Sequence, residues 1–144
     1  MPRTTLSPEE EDFLRPALRA AARAREHAWV PYSHYNVGAA VKAKESDAIY
    51  GGANVENASY GAAICAERSA ILSMIAQQGP GRLEYVIVMT ESDPPAPPCA
   101  QCLQVMAEFA DPDLTVYLAD LSGVKQIYRF DELLPHPFTF SPDD

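Results

Sequence analysis

Two short motifs in separate parts of the chain contain all of its cysteines, and they constrain the fold more than any other feature. Cys65 begins the sequence Cys-Ala-Glu, and Cys99 and Cys102 lie in the sequence Pro-Cys-Ala-Gln-Cys. Three thiolates can hold a zinc ion and leave its fourth position open for water, whereas structural zinc sites fill all four positions. We therefore predict a fold that brings the two motifs to one point, with Glu67 beside the metal.

Both motifs are typical of helix starts. Cys99 and Cys102 are three residues apart, so their side chains fall on one face of a helix. The first turn of a helix favours negative charge, which lowers the pKa of a thiol and favours the thiolate that zinc binds. If two parallel strands lead into the helices that begin near Cys65 and Cys99, the three thiols meet at one end of a sheet. Glu67 could then take a proton from water, and Arg68 could offset the excess negative charge of the thiolates.

The rest of the chain alternates between helix and strand signals. Residues 7–10 have the form of a capping box, with Pro8 at the first helical position. Predicted helices cover residues 8–28, 64–78 and 99–110, predicted strands cover 35–42, 48–53, 83–90, 114–119 and 124–129, and a last helical turn covers 131–134. This order predicts an α/β fold with three layers, α/β/α, around a mixed five-stranded sheet. Trp29, at the end of the first helix, is predicted to be a core residue.

Length, charge and hydropathy narrow the possible functions. The 144 residues suit one compact domain, residues 1–144. The net charge of -9 and the lack of any Lys/Arg cluster argue against a nucleic-acid partner. The apolar stretches are too short to span a membrane. An odd number of cysteines, without a secretion signal, predicts reduced thiols and a cytoplasmic location.

Five segments, in order along the chain, resemble the small cytidine deaminase family. They are residues 31–40 (PYSHYNVGAA), 54–60 (NVENASY), 65–68 (CAER), 98–102 (PCAQC) and 132–138 (ELLPHPF). The resemblance implies zinc-dependent hydrolytic deamination of cytidine and 2′-deoxycytidine to uridine and 2′-deoxyuridine, with release of ammonia, in pyrimidine salvage. It also implies a homotetramer whose active sites are shared between subunits.

The resemblance assigns roles at the metal. Cys65, Cys99 and Cys102 would bind zinc, and Glu67 would carry protons from water to ring N3 and then to the leaving amine. The chain departs from the family here, since Ala100 replaces a glycine and Leu103 replaces an arginine that commonly accompanies the zinc cysteines. These changes leave Arg68 as the only nearby cation in the sequence.

The resemblance also assigns roles at the substrate. The Ala66 amide would face the pyrimidine carbonyl, and Asn54 and Glu56 would hydrogen-bond the ribose 3′-hydroxyl. Tyr60 would reach the sugar from a neighbouring subunit. The base would lie against two aromatic rings, those of Phe138 and Tyr35. Because Tyr35 stands where the family usually has phenylalanine, its added hydroxyl needs a partner.

Simpler interpretations of these residues stay open. The C-x-x-C pair could be a redox pair or half of a closed structural zinc site with a histidine as fourth ligand, although we expect His27, His34 and His136 to lie outside the zinc shell. Asn54 and Glu56 could cap a neighbouring element. Tyr60 could be an interface aromatic without substrate contact, and Phe138 a packing anchor.

Three other functions also remain open. A related enzyme could deaminate another cytosine nucleoside such as blasticidin S, although the NVEN sequence at residues 54–57 favours an ordinary ribose. A polynucleotide deaminase is disfavoured by the acidic charge. A non-enzymatic zinc-binding module would hold the metal but release no ammonia.

Overall fold

The computed structural model describes residues 2–142 and contains a mixed five-stranded sheet with helices on both faces. The elements in chain order are α1 Pro8–Glu26, β1 Gly38–Ala43, β2 Ile49–Ala53, a 3-10 helix Tyr60–Ala62, α2 Ala66–Gln78, β3 Leu83–Met89, α3 Ala100–Ala107, β4 Thr115–Asp120, β5 Gly123–Arg129 and α4 Phe130–Leu133. The predicted three-layer α/β/α fold is confirmed.

The direction of the strands brings the ends of β2 and β3 together. The strand order is β2-β1-β3-β4-β5, and β1 is antiparallel to both of its neighbours. Consequently β2 and β3 run the same way, and their last residues, Ala53 and Met89, both pair with Gly38. The chain leaves these strands at one edge of the sheet and leads into α2 and α3, as the two cysteine motifs predict.

Alternation along the strands divides the core into two layers. Ala39 and Val41 of β1 pack with residues of α2 and α3 on one face of the sheet. Ala40 lies on the other face with Leu14 and Ala17 of α1. This division follows from the two-residue period of a β-strand, which sends successive side chains to opposite faces.

Local sequence signals fix α1. The Ser7 hydroxyl accepts a hydrogen bond from the Glu10 amide at 3.1 Å, and the Glu10 carboxylate accepts one from the Ser7 amide at 3.2 Å. This reciprocal pair confirms the predicted capping box. The helix runs through Pro16 and ends at Glu26, two residues before its predicted end.

Two glycines allow the helices to approach the sheet closely. A Cβ atom at Gly38 would lie 2.0 Å from the Ala21 carbonyl oxygen of α1, and one at Gly52 would lie 2.3 Å from the Ala70 amide nitrogen of α2. Any larger residue at these positions would push the helix away. The Gly52 contact therefore sets the height of α2 above the sheet.

Two predictions about residues 29–38 needed correction. Trp29 is 60% exposed rather than in the core, because it pairs with Val55 through the main chain beyond the end of α1, where no layer covers its ring. β1 begins at Gly38 rather than at Tyr35, since His34 has a φ of 57° and the chain forms a loop before the strand.

Among the helices of residues 2–142, none is long and apolar enough to cross a membrane.

Candidate active site

The structure brings the three cysteines together at the edge of the sheet where β2 and β3 end. The sulfur of Cys99 lies 3.8 Å from that of Cys65 and 3.4 Å from that of Cys102. All three sulfurs lie within 4.8 Å of one another. These side chains come from segments separated by more than thirty residues, so their convergence depends on the packing of α2 beside α3.

The cysteines occupy helix starts in which their sulfurs stay available. Cys65 is the N-cap of α2 and Cys99 is the N-cap of α3, and neither side chain makes a capping hydrogen bond to the main chain of its helix. Cys102 lies in the first turn of α3 and is buried. The helix dipoles therefore favour negative charge on the cluster.

The pKa values of Cys65 and Cys102 are shifted in opposite directions. Hydrogen bonding from Cys102, with a further contribution from Arg68, lowers the pKa of Cys65 to about 5. The pKa of Cys102 is raised, first because its thiol is the donor to Cys65 and then because it is buried. The cluster thus already carries a thiolate near neutral pH, which is the form that binds zinc.

The separations of the sulfurs fit a tetrahedral zinc ion. Zn–S bonds of about 2.3 Å at tetrahedral angles place two sulfurs about 3.8 Å apart. No histidine, aspartate or glutamate of residues 2–142 joins the three sulfurs in a ligand group. The donor set is therefore three thiolates with an open fourth position, which is the pattern of a catalytic zinc site rather than a structural one.

Glu67 is a buried carboxyl group in the first turn of α2. Its residue is only 4% exposed, and it is one of two buried polar residues among those described. Burial raises the pKa of Glu67, and the charge of the Cys65 thiolate raises it further. A carboxyl with a raised pKa exchanges protons with water more readily near neutral pH than an exposed glutamate does.

Arg68 contacts the cluster directly. Its guanidinium donates to the Cys65 sulfur at 3.6 Å and to the Ala63 carbonyl oxygen at 3.3 Å. Leu103, which replaces the second arginine of the family pattern, is buried in the core and supplies no charge. The predicted proximity of Arg68 to the thiolates is therefore present.

Asn54 and Glu56 hold the loop at residues 32–37 in place. The Asn54 side chain accepts from the Val37 amide at 2.9 Å and donates to the Tyr35 carbonyl at 2.8 Å. The Glu56 carboxylate accepts from the amides of Tyr32 and Ser33 at 3.0 and 3.1 Å and also from the Ser33 hydroxyl. The Ser33 hydroxyl, followed by these amides, lowers the pKa of Glu56 and so keeps it ionised.

The three predicted aromatic residues, Tyr35, Tyr60 and Phe138, all have exposed side chains. The Tyr35 hydroxyl bonds the Ser92 hydroxyl, which supplies the partner that the sequence requires. Tyr60 is 83% exposed and lines a cavity of about 320 Å³ together with Glu56. Phe138 is 76% exposed, and it shares no hydrogen bond with the three cysteines among the described residues.

The cavities do not by themselves locate the site. A larger cavity of about 650 Å³ lies at the far end of β1 between Lys44, Arg82 and Phe109, and it contains none of the predicted site residues. We place the site by its chemistry, since Arg82 and Lys44 there are occupied by the Asp111 carboxylate.

Sequence reasoning missed Ser33, Ser92 and Gln104. Ser33 and Gln104 lie within or beside the family segments, but only the folded chain brings them to Glu56 and to the Phe138 carbonyl. Nothing in the sequence near Ser92 connects it with Tyr35, which lies 57 positions earlier.

The fold and the site together define an α/β/α protein of the zinc-binding class, with three cysteines grouped so that they could hold the metal and a buried carboxyl near them. The family model described as the cytidine and deoxycytidylate deaminase zinc-binding region matches residues 8–118. The chain therefore belongs to the cytidine deaminase family.

Individual relatives agree with this membership. The chain is 45% identical over 124 residues to a cytidine deaminase of Halalkalibacterium halodurans, covering 85% of this chain and 91% of the relative. It is 39% identical over 122 residues to a cytidine deaminase of Sporosarcina psychrophila, covering 85% and 88%. The crystal structure of the Burkholderia pseudomallei cytidine deaminase superimposes with a TM-score of 0.79 at 40% identity, over 86% of this chain and 98% of that one.

Proposed function

We propose that this protein catalyses the hydrolytic deamination of cytidine and 2′-deoxycytidine to uridine and 2′-deoxyuridine, with release of ammonia. The observation that carries the proposal is the buried Glu67 carboxyl beside three sulfurs that no fourth ligand from residues 2–142 joins. A structural zinc site needs neither an open position nor a buried acid. The whole chain, residues 1–144, would form one catalytic domain.

Zinc would be held by Cys65, Cys99 and Cys102, and when bound it acts as a Lewis acid that lowers the pKa of a water molecule. Glu67 would take one proton from the attacking water and deliver it to ring N3 while the water oxygen bonds to carbon C4. It would then take the remaining proton of that oxygen and pass it to the amino group, so that the C4–N bond breaks and water and cytidine give uridine and ammonia. The raised pKa of Glu67 suits a group that must both accept and release a proton.

Arg68 would balance the charge of the cluster. Three thiolates around a divalent cation leave a net charge of -1, which weakens the metal as a Lewis acid. The hydrogen bond from Arg68 to Cys65 withdraws negative charge from one sulfur. With Leu103 neutral, this single arginine performs the task alone.

Asn54 and Glu56 would bind the ribose 3′-hydroxyl with the hydrogen-bonding capacity that the loop leaves free. A carboxylate accepts about four hydrogen bonds, and three of those of Glu56 are occupied. Asn54 likewise keeps one N–H and one lone pair free after its two bonds to the loop. One anchoring network would thus serve both the loop and the sugar.

The base would lie between the Ala66 amide and two aromatic residues. Ala66 is the first residue of α2, where the N–H has no partner within the helix, so it is available to the pyrimidine carbonyl. Tyr35 and Phe138 would supply the aromatic faces that a neutral nucleoside needs.

The active enzyme would be a homotetramer that shares its sites between subunits. Two observations support this: Tyr60 is strongly exposed, and the cavity that it lines is open to solvent. A single chain therefore does not enclose a substrate at Tyr60, whereas a neighbouring subunit could close the site. Tyr60 would act in a neighbouring site, and native mass measurement should give four subunits. The need to keep three thiols reduced supports a cytoplasmic location. The proposed conversion of cytidine to uridine would serve pyrimidine salvage.

The decisive experiment measures zinc content and cytidine turnover on the same purified protein. We expect one zinc per chain and ammonia release from both cytidine and 2′-deoxycytidine. Blasticidin S and single-stranded DNA serve as comparison substrates. A protein that binds zinc but releases ammonia from none of these substrates would overturn the enzymatic proposal. Faster turnover of blasticidin S than of cytidine would show that the proposed substrate is wrong.

A further inference from the structure

Within the described chain, one hydrogen bond attaches the C-terminal segment at residues 135–142 to the rest of the protein. The Gln104 side-chain amide donates to the main-chain carbonyl of Phe138 at 2.9 Å. No other hydrogen bond within residues 2–142 involves this segment, and it belongs to no helix or strand. Gln104 therefore has a large share in fixing where the segment lies.

The segment has two sides, and the tether determines which side faces outward. Pro135, Pro137 and Thr139 line a cavity of about 290 Å³ against the end of α3 and against α4. Phe138, between two of these residues, and Phe140, after the last of them, do not line the cavity and are 76% and 74% exposed. Extended chain sends alternate side chains to opposite sides. A bond to the Phe138 carbonyl thus holds the Phe138 ring away from its own helix layer.

Gln104 connects this segment to the metal-binding end of α3. It lies two residues after Cys102, which corresponds to about 3 Å along a helix axis. The helix start that places two zinc ligands therefore also places the carbonyl of Phe138. Because α3 packs against the rigid sheet core through Leu103 and Met106, Gln104 is a firm anchor.

We propose that Gln104 is a positioning residue, which orients Phe138 toward the bound nucleoside through the hydrogen bond to its carbonyl. This inference rests on the proposed function, in which Phe138 covers the base. Gln104 itself touches neither substrate nor metal. Its loss leaves zinc binding and the proton transfers of Glu67 intact and weakens only the cover over the base.

The test compares two variants. Gln104→Met keeps the side-chain volume but removes the donor. The control is Gln78→Met, because Gln78 is exposed at the end of α2 and its side chain makes no hydrogen bond within the described chain. Phe138→Ala and the double variant complete a mutant cycle. For Gln104→Met we expect KM for cytidine to rise about fivefold with kcat nearly unchanged. This is the size of effect that the loss of one hydrogen bond gives when it weakens binding of the substrate and of the transition state equally. In the Phe138→Ala background, Gln104→Met should add nothing to KM.

A second measurement does not depend on catalysis. Chymotrypsin cleavage after Phe138, followed by mass spectrometry, should be several-fold faster in Gln104→Met than in the wild type or Gln78→Met. Equal cleavage rates would overturn the tether whether or not the protein deaminates cytidine. An equal rise of KM in both backgrounds would show that Gln104 acts independently of Phe138 and would overturn the positioning role. A wild type without turnover overturns the proposed function instead, and cleavage still decides the tether.

Discussion

Two glutamates in the first turns of two helices experience opposite environments on the two faces of the sheet. The Glu10 carboxylate of α1 accepts two hydrogen bonds from the Arg3 guanidinium, at 2.9 and 3.0 Å, and one from the Tyr117 hydroxyl at 3.2 Å. These partners, Arg3 foremost, lower the pKa of Glu10 to about 2. Burial instead raises the pKa of Glu67 in α2.

The comparison shows that position in a helix does not determine the chemistry of an acid. Both carboxyl groups lie at the positive end of a helix dipole, which favours the ionised form. At Glu67 the loss of solvent outweighs that effect, because the arginine next to it in sequence donates to the Cys65 sulfur. The α1 face holds an ionised acid that pairs with Arg3, whereas the α2 face holds a buried acid whose pKa is raised.

Exchanging each glutamate for glutamine tests this division most strongly. Glu67→Gln should retain zinc and the fold but lose about 10²–10⁴-fold in cytidine turnover, because the amide cannot accept the proton. Glu10→Gln should keep normal turnover. Steady-state kinetics with metal analysis on both variants makes the measurement, and comparable activity in the two would contradict the assignment of Glu67.

The two arginines provide the next test. Arg68→Gln should lower cytidine turnover or zinc affinity about 10–100-fold, the usual effect of removing a group that supports a metal ligand. Its melting temperature should change little. Arg3→Gln is the matched control, for which we expect normal turnover and zinc affinity but a lower melting temperature. Unchanged kinetics in Arg68→Gln would show that the cluster needs no compensating cation.

Glu10→Gln should destabilise the fold in a pH-dependent way. We expect a loss of about 1.5 kcal/mol at neutral pH, less than the pKa shift alone implies, because the Arg3 side chain is 54% exposed and solvent screens the pair. Since the folded-state pKa of about 2 lies below the ordinary 4.5, this stabilisation is complete above about pH 5 and disappears as pH falls toward 2. Urea unfolding of both proteins from pH 7 to pH 3 measures it, and a difference that grows with acidity would refute it.

The smallest expected effects concern two tyrosines on the α1 face. The Tyr85 hydroxyl is buried and has no hydrogen-bond partner among residues 2–142, and burial raises its pKa to about 12. The Tyr117 hydroxyl, in contrast, donates a hydrogen bond to Glu10. Tyr85→Phe should stabilise the protein by about 1 kcal/mol because it removes an unsatisfied group. Tyr117→Phe should destabilise it by a similar amount. Thermal unfolding distinguishes them, and a destabilised Tyr85→Phe would indicate an ordered water on that hydroxyl.

The elements with strong local signals followed the sequence closely. The capping box at Ser7 and the stop at Gly79, whose φ is 87°, mark helix ends that depend on only a few neighbouring residues. The predicted strand at residues 83–90 differs from β3 by one residue, since a nearly continuous apolar run has few alternatives to a buried strand. The start of β1 was misjudged because Asn54, far along the chain, holds residues 35–37 in a loop.

The sequence by itself indicated the family, and it predicted the three cysteine ligands and Glu67 as the proton-transferring acid, because these depend on residue types and short spacings. Only the tertiary structure decided that three sulfurs lie within 4.8 Å, that Glu67 is buried while Trp29 is not, and that Gln104 reaches Phe138. The reason is physical: burial and distance depend on which distant segments pack together. Here that packing depends on the close approach of α2 to the sheet at Gly52, which no local pattern encodes.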